Sequence, residues 1–394
     1  APFRHAAALA LPALLLAAAP ASAQRTVTLP AADRPLAGSP APVFTAGGTA
    51  GPGALASASG AAFDARDNLY VLDSRTKRVV VFSPTGAVLR RIGGPDAGAG
   101  ALQVPLLMTV MSDGQVAVAD LGRQAMVFFA PDGTFRRAVP LEQLGGLPSS
   151  RGIRGHPGGG LLTALRGEGG ATSLAWYATS GGRHSLVYQG RPPAQVRADS
   201  RGQTGGVRLG GALPVTFAPV IQWSVLPGGE VAVSEGTRYR VELRSVAGAP
   251  VRTLVRGIAP RPVTRADEER ARRERMALAG GGAVQVVGVG GDGSPSPSAG
   301  LEGLLTQMTF ADTMPVVQGL TADPAGVLWI GRAGRVYGGD APADLVTPAG
   351  RYLGTVTGPF PAAISPGGLA AYVQRDGAST RVVVRRLPAA WRHP

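Results

Sequence analysis

The side chains able to do chemistry are few. The chain contains no cysteine, which excludes a thiolate nucleophile, a zinc–cysteine module and a disulfide framework. Beyond residue 23 the histidines are His156, His184 and His393. A metal-dependent hydrolase or lyase needs several imidazoles or carboxylates converging on one point. Two internal histidines are a thin supply for that and read more simply as surface or turn residues. No Gly-x-Ser-x-Gly elbow, P-loop or HExxH motif occurs. One constellation remains. Two residues past a recurring apolar strand position stand Asp73, Asp120, Leu165, Glu235, Arg332 and Gln374. Acids, an arginine and an amide at one end of a ring of strands could hold a cation or a polar ligand. The plainer reading is that Asp73 and Asp120 accept hydrogen bonds from the turns that follow them. The candidate ligand-binding residues are thus Asp73, Asp120, Glu235, Arg332 and Gln374. No catalytic residue, metal or cofactor is assigned.

The elements that position these residues are short strands. Residues 61–93 contain three in succession, Leu69–Leu72, Arg78–Phe82 and Ala87–Ile92, divided by Asp73-Ser74 and Pro84-Thr85-Gly86. Val79, Val80 and Val81 form a continuous β-branched run, as strands covered on both faces do. The plan returns at 106–139, with Phe128-Phe129 followed by Pro131-Asp132-Gly133. Aligning one strand of each unit by its apolar entry gives six pivot positions: Val71, Val118, Thr163, Val233, Ile330 and Tyr372. Their separations are 47, 45, 70, 97 and 42 residues. Three of these match the length of a four-stranded propeller blade, about 45 residues. The other two place insertions at 190–219 and 257–315.

Residues 61–140 resemble NHL-type repeats, found in six-bladed propellers of exported bacterial proteins. The resemblance is carried by Leu69-Tyr70-Val71-Leu72-Asp73, Val79–Phe82 and Pro84-Thr85-Gly86. It is carried again by Val116–Asp120, Met126–Phe129 and Asp132-Gly133. It implies an all-β fold, a six-bladed β-propeller of four-stranded antiparallel blades, here with one inserted helix. The family hosts many unrelated functions, so the resemblance hands over no activity.

Closure follows from counting. After Leu387 only seven residues remain, so the sixth blade is one strand short and leaves an open edge unless the N-terminus supplies its fourth strand. Pro42–Thr45 is the expected donor, with Thr26–Leu29 as the alternative. In the second insertion, Thr264–Ala279 reads as a helix. Thr264 caps it, Asp267 stands near a capping-box position, and Glu268–Arg272 and Glu269–Arg273 are i,i+4 pairs. Gly291–Gly300 reads as a flexible loop.

Residues 1–23 read as a signal peptide. An apolar run at 6–19 is followed by Ala21-Ser22-Ala23, and the run is shorter than the ~20 residues a membrane-spanning helix needs. The expected organisation is a signal peptide at 1–23, a segment with the closing strand at 24–58, and the propeller at 59–394. The net charge is +14. Its arginines are scattered rather than clustered with aromatics, which argues against nucleic acid. A periplasmic or secreted location is expected, with no transmembrane helix in the mature chain. Two functions fit. One is a non-enzymatic propeller that binds a protein partner or serves as a scaffold, for example as an extrinsic subunit of a membrane complex. The alternative is an exported hydrolase or lyase with its site at the channel mouth.

Overall fold

The computed structural model describes residues 25–392 except 49–50, 52, 167–170, 191–214, 281–287, 290–294, 297–307, 334–339 and 377–378. The expected signal peptide and His393 fall outside the described residues. So does the loop reading of Gly291–Gly300, apart from Pro295–Ser296, which pairs with Gly288–Val289.

Six sheets form a six-bladed propeller. Blade one runs Ala58–Phe63, Leu69–Asp73, Arg78–Phe82 and Val88–Gly93. Blade two runs Pro105–Val110, Val116–Asp120, Ala125–Phe129 and Phe135–Pro140. Blade three comprises Pro148–Gly155, Leu161–Arg166, Thr172–Tyr177 and Arg183–Gln189. Blade four comprises Gln222–Val225, Val231–Ser234, Arg240–Arg244 and Pro250–Val255. Blade five comprises Val317–Ala322, Leu328–Arg332, Ala341–Val346 and Tyr352–Gly358. Blade six has Ala363–Ile364, Leu369–Asp376 and Ser379–Arg386, completed by Ala41–Ala46. All six pivot positions fall on second strands. These strands are sandwiched between neighbouring blades. Val79, Val80 and Val81 are accordingly buried on both faces of their sheet, which explains their unbroken β-branched sequence.

The closing strand is Ala41–Ala46, antiparallel to Ser379–Arg386 with Phe44 opposite Val384. Phe44 also packs on Gly86 in the third-to-fourth turn of blade one. A Cβ there would lie 2.7 Å from the Phe44 ring, and the φ of +92° favours glycine as well. Blade six is thereby joined to blade one. The alternative donor has a different task. Arg25–Thr28 adds a fifth, parallel strand to the outer edge of blade four. Leu29 then enters the core between blades four and five.

Between these two strands the chain straps across blade five. Leu36 N donates to Thr355 O, and Thr355 N to Arg34 O. Trp391 Nε1 donates to Ala37 O at 2.9 Å. Arg256 locks the strap. Its Nη1 donates to Asp344 Oδ2 at 2.7 Å, and both side chains are wholly inaccessible. Its Nη2 donates to Asp33 Oδ1 (2.7 Å) and Ala32 O (2.8 Å), and its Nε to Pro30 O (2.7 Å). Asp344 Oδ1 takes the Thr355 hydroxyl at 2.6 Å. Breaking one side of a buried ion pair costs about 3–5 kcal/mol, because the other charge is left uncompensated.

Two outcomes follow for the strap. Arg256→Met should lower the unfolding midpoint sharply in a denaturant titration, and Asp344→Asn by less, since the amide still fills the space. Burial acts against the charge of Asp33, yet Arg332 and Arg256 outweigh it and hold its carboxyl below the usual range. A depressed carboxylate contributes stability above the ordinary value of about 3.9 and loses it as pH falls through the folded value. The Tm gap between wild type and Asp33→Asn should therefore be constant above about pH 5 and close in stronger acid. A gap independent of pH would refute the ion pairing.

Candidate functional site

Strands alternate in direction within each blade. The second strands therefore end on the same face from which the connections to the next blade leave. Both insertions are such connections, between blades three and four and between blades four and five. They meet on that face. Thr216 N donates to Thr309 O and Ala311 N to Thr216 O, while a bond from Val263 N to Asp312 O ties the second insertion to itself. Phe217, Met314 and Ala271 form a small core with Phe310 and Val263.

The inserted helix is Arg265–Gly280. Thr264 caps it as expected: Asp267 N donates to Thr264 Oγ1, and Thr264 N to Asp267 Oδ2 at 3.0 Å. Arg261 also grips Asp267, at 2.6 and 3.0 Å, and holds its carboxyl well below the usual range. Arg272 pairs with Glu268 at 3.4 Å. The expected Glu269–Arg273 pair is not formed. Glu269 instead receives Arg265 from the preceding turn at 3.2 Å. The helix is anchored through Ala271 and through Arg272 stacked 4.8 Å over Phe310.

The candidate ring residues occupy equivalent positions on this face but do not converge. Asp73 is fully buried and takes four backbone amides, Ala56 and Ser57 at 2.8 and 3.0 Å and Arg75 and Thr76 at 3.2 Å. Asp120 repeats the pattern with Gln103, Val104, Gly122 and Arg123, at 2.7–3.3 Å. Each carboxylate staples the loop entering its blade to the end of the second strand. Leu165 lies in the core between blades two and three. Glu235 accepts the Tyr188 hydroxyl at 2.8 Å, and burial together with that carboxylate pushes the phenol well up. Arg332 donates to Asp33 at 2.6 Å, and Gln374 Oε1 accepts from Arg381 Nε at 3.2 Å.

Arg332 and Gln374 share a cavity. It is a cleft of 1180 Å³ between blades five and six, opening beneath the insertions. Its apolar walls include Trp329, Phe360 and Tyr372. Phe360 lies flat on Gly319 and Gly331, which pair across the first two strands of blade five. A Cβ on either would come within about 3.0 Å of its ring. Burial raises the Tyr372 hydroxyl to about 12 despite Arg385, whose guanidinium stands 5.8 Å from the ring. Arg275 from the inserted helix, Arg381 and Arg385 line the cleft against one acid, Asp340. The cleft is therefore positive over an aromatic floor, a combination suited to carboxylates and planar apolar groups.

Sequence reasoning did not single out Arg275, Arg381, Arg385 or Phe360. With arginine so common in the chain, nothing in their local sequence sets them apart. The histidines lie elsewhere. His156 and His184 flank Trp176 on blade three, with ring centroids 5.0 and 4.4 Å from it. His156 Nδ1 accepts from Gly158 N and Nε2 faces Gly229 O, both at 3.0 Å. Among the described residues no three His, Asp or Glu side chains gather as a metal site, and no helix is long and apolar enough to cross a membrane.

No protein-family profile matches the chain, and no curated protein matches its sequence. Its structural neighbours are six-bladed propellers. They include catalytically inactive virginiamycin B lyase from Staphylococcus aureus with quinupristin, at 10 % identity over 84 % of this chain and 85 % of that one, with TM-score 0.37. Regucalcin, a calcium-binding protein from Agrobacterium tumefaciens, is 11 % identical over 92 % of this chain and 97 % of its own (TM-score 0.40). Kuenenia stuttgartiensis hydrazine synthase is 13 % identical over 84 % and 96 % (TM-score 0.43). These likenesses concern the fold.

Asp120→Ala would orphan four amides, each buried donor costing about 1–3 kcal/mol without a partner unless water replaces it. Chemical denaturation should show a loss on the order of 3 kcal/mol, while the cleft between blades five and six keeps its ligand affinity. A stable Asp120→Ala protein that loses ligand binding would make Asp120 a site residue.

Proposed function

We propose that the chain is an exported, NHL-type propeller that binds a protein partner through the insertion face. An acidic segment of that partner is received in the cleft between blades five and six. The observation that carries this reading is the cleft itself: Arg275, Arg381 and Arg385 around an aromatic floor, on the face where both insertions gather. Loops raised on a rigid scaffold are the usual place for recognition. Exposed arginines at the rim favour encounter with acidic surfaces and make the association salt-sensitive. The +14 charge of the chain, +13 once Arg4 leaves with residues 1–23, acts in the same direction. Nucleic acid is disfavoured because the arginines converge on a cleft rather than forming a track with stacking aromatics. Docking on a membrane complex as an extrinsic subunit is the form of this role that suits an exported protein. Export itself would be read from native protein beginning at Gln24.

The test is charge reversal. Arg275→Glu, Arg381→Glu and Arg385→Glu together should reduce capture of one defined partner from native membranes at least tenfold. Wild-type capture should weaken as salt rises. Arg66→Glu, an exposed change on the opposite face, should leave capture intact. Equal loss from both changes, or none from the triple change, would remove the cleft from the interface. Hydrolytic turnover lost on mutating the cleft would favour the enzymatic alternative.

A further inference from the structure

The opposite end of the central channel has its own chemistry. Each first strand passes into the second through a similar tight turn. Its leading residue is Asp64, Met111, His156, Leu226, Asp323 or Ser365 in blades one to six, and in every case that residue's N–H bonds to a carbonyl four residues on. Counting back two residues along each first strand gives one layer of the channel wall: Ala62, Thr109, Arg154, Ser224, Thr321 and Ala363. All six line a cavity of 390 Å³ that opens on this face. The layer thus contains one cation, three hydroxyls and two methyl groups.

Arg154 is under-partnered for its position. A guanidinium carries five N–H donors. Here Nη1 donates to the neighbouring carbonyl of Ile153 at 3.1 Å, and the ring of Trp223 stands 5.7 Å away. Among the described residues no carboxylate lies within ion-pair distance of it. Desolvation alone pulls its pKa below the usual arginine value, with no acid to offset it. The two acids of the turn layer also border this cavity, at its mouth, but their carboxylates are engaged by groups of their own turns. Asp64 accepts from Arg66 N, Asn68 N, Asn68 Nδ2 and the Tyr70 hydroxyl. Asp323 accepts from Ala325 N and Val327 N. Ser224 Oγ accepts from Ala322 N at 2.9 Å, which leaves its own proton to donate into the channel.

We propose that the channel holds a small oxyanion, a carboxylate or phosphate group on a molecule of metabolite size, bound by Arg154 with Ser224 and Thr321. Among the described residues Arg154 is the one cation in the cavity wall and spends one of its five donors on the protein, and the fork of a guanidinium matches either oxyanion. The small residues Ala62 and Ala363 leave the room that larger side chains would fill. This site lies on the face away from the insertions and is independent of partner docking there.

Isothermal titration of the whole protein with sodium succinate and, separately, potassium phosphate, at fixed ionic strength in chloride, tests it. At least one probe should bind saturably at one site per chain. Arg154→Met should weaken that binding at least tenfold while melting, in buffer without either probe, no lower than wild type. If Arg154→Met fails to fold, the Ser224→Ala, Thr321→Val protein serves instead, with affinity reduced several-fold. The triple charge reversal at Arg275, Arg381 and Arg385 should leave the titration unchanged. The succinate and phosphate arms separate a carboxylate ligand from a phosphate one. No saturable binding of either probe, binding unchanged in the channel variants, or binding lost in the triple reversal would overturn the proposal.

Discussion

The ion pair between Arg256 and Asp344 is the constraint on which the closed ring depends. Arg256 follows the last strand of blade four, and Asp344 sits in the third strand of blade five. The guanidinium also holds Asp33 and three carbonyls of the N-terminal strap. A propeller closes only if its last blade obtains a strand from the other end of the chain. Here that strand, Ala41–Ala46, is reached by a segment with little regular pairing of its own, so the route across blade five must be fixed by side chains. A buried guanidinium with several acceptors fixes direction as well as distance, which an apolar contact does not.

The two ends of the ring differ because their connections differ. On one face, third-strand entries and fourth-to-first connections vary in length, and two of them grow into the insertions. On the other, short turns repeat from blade to blade. The variable face gains a basic cleft, and the repetitive face presents a ring of equivalent positions. The blades also divide. In blades one and two, buried aspartates take the amides of the incoming loop, which makes those blades regular. Blade five has Arg332 at the corresponding place and blade six Gln374. Neither side chain closes off its loop in that way, and the cleft opens between these two blades.

Much of the architecture was legible because it rests on backbone rules. Six recurring positions, three of their five separations near 45 residues, marked six second strands. The N-terminal segment expected to complete blade six is the one that pairs there, and the cap at Thr264 and Asp267 announced the helix. What could not be read was convergence. Equivalence by repeat places Asp73, Asp120, Glu235, Arg332 and Gln374 around one end of the ring. Each blade then turns its own side chain toward its own loop or neighbour. Glu235 meets Tyr188 of blade three and Arg332 meets Asp33 of the strap. The strap's one acid, Asp33, and Arg256 lie 223 residues apart in sequence, and no local pattern connects them. The Glu269–Arg273 expectation failed for a local reason: Arg265 offers Glu269 a partner one turn earlier, and surface pairs of this kind differ little in energy.

Arginine is so common here that its presence alone says nothing, and the partners of each guanidinium must be followed instead. Arg256 and Arg154 make the comparison. Both stand beside an aromatic ring, Tyr352 at 4.8 Å and Trp223 at 5.7 Å, but Arg256 is buried whereas Arg154 lines a cavity. Arg256 has two carboxylates and three carbonyls, and its pKa is raised despite burial. Arg154 has one carbonyl, and its pKa is lowered by burial alone. The first is complete within the fold and is explained by stability. The second is incomplete within the fold, because most of its donors face the cavity rather than a protein acceptor. In a ring of six equivalent positions where three blades supply hydroxyls and two supply alanine, a lone arginine leaves room for an anion and the donors to hold it.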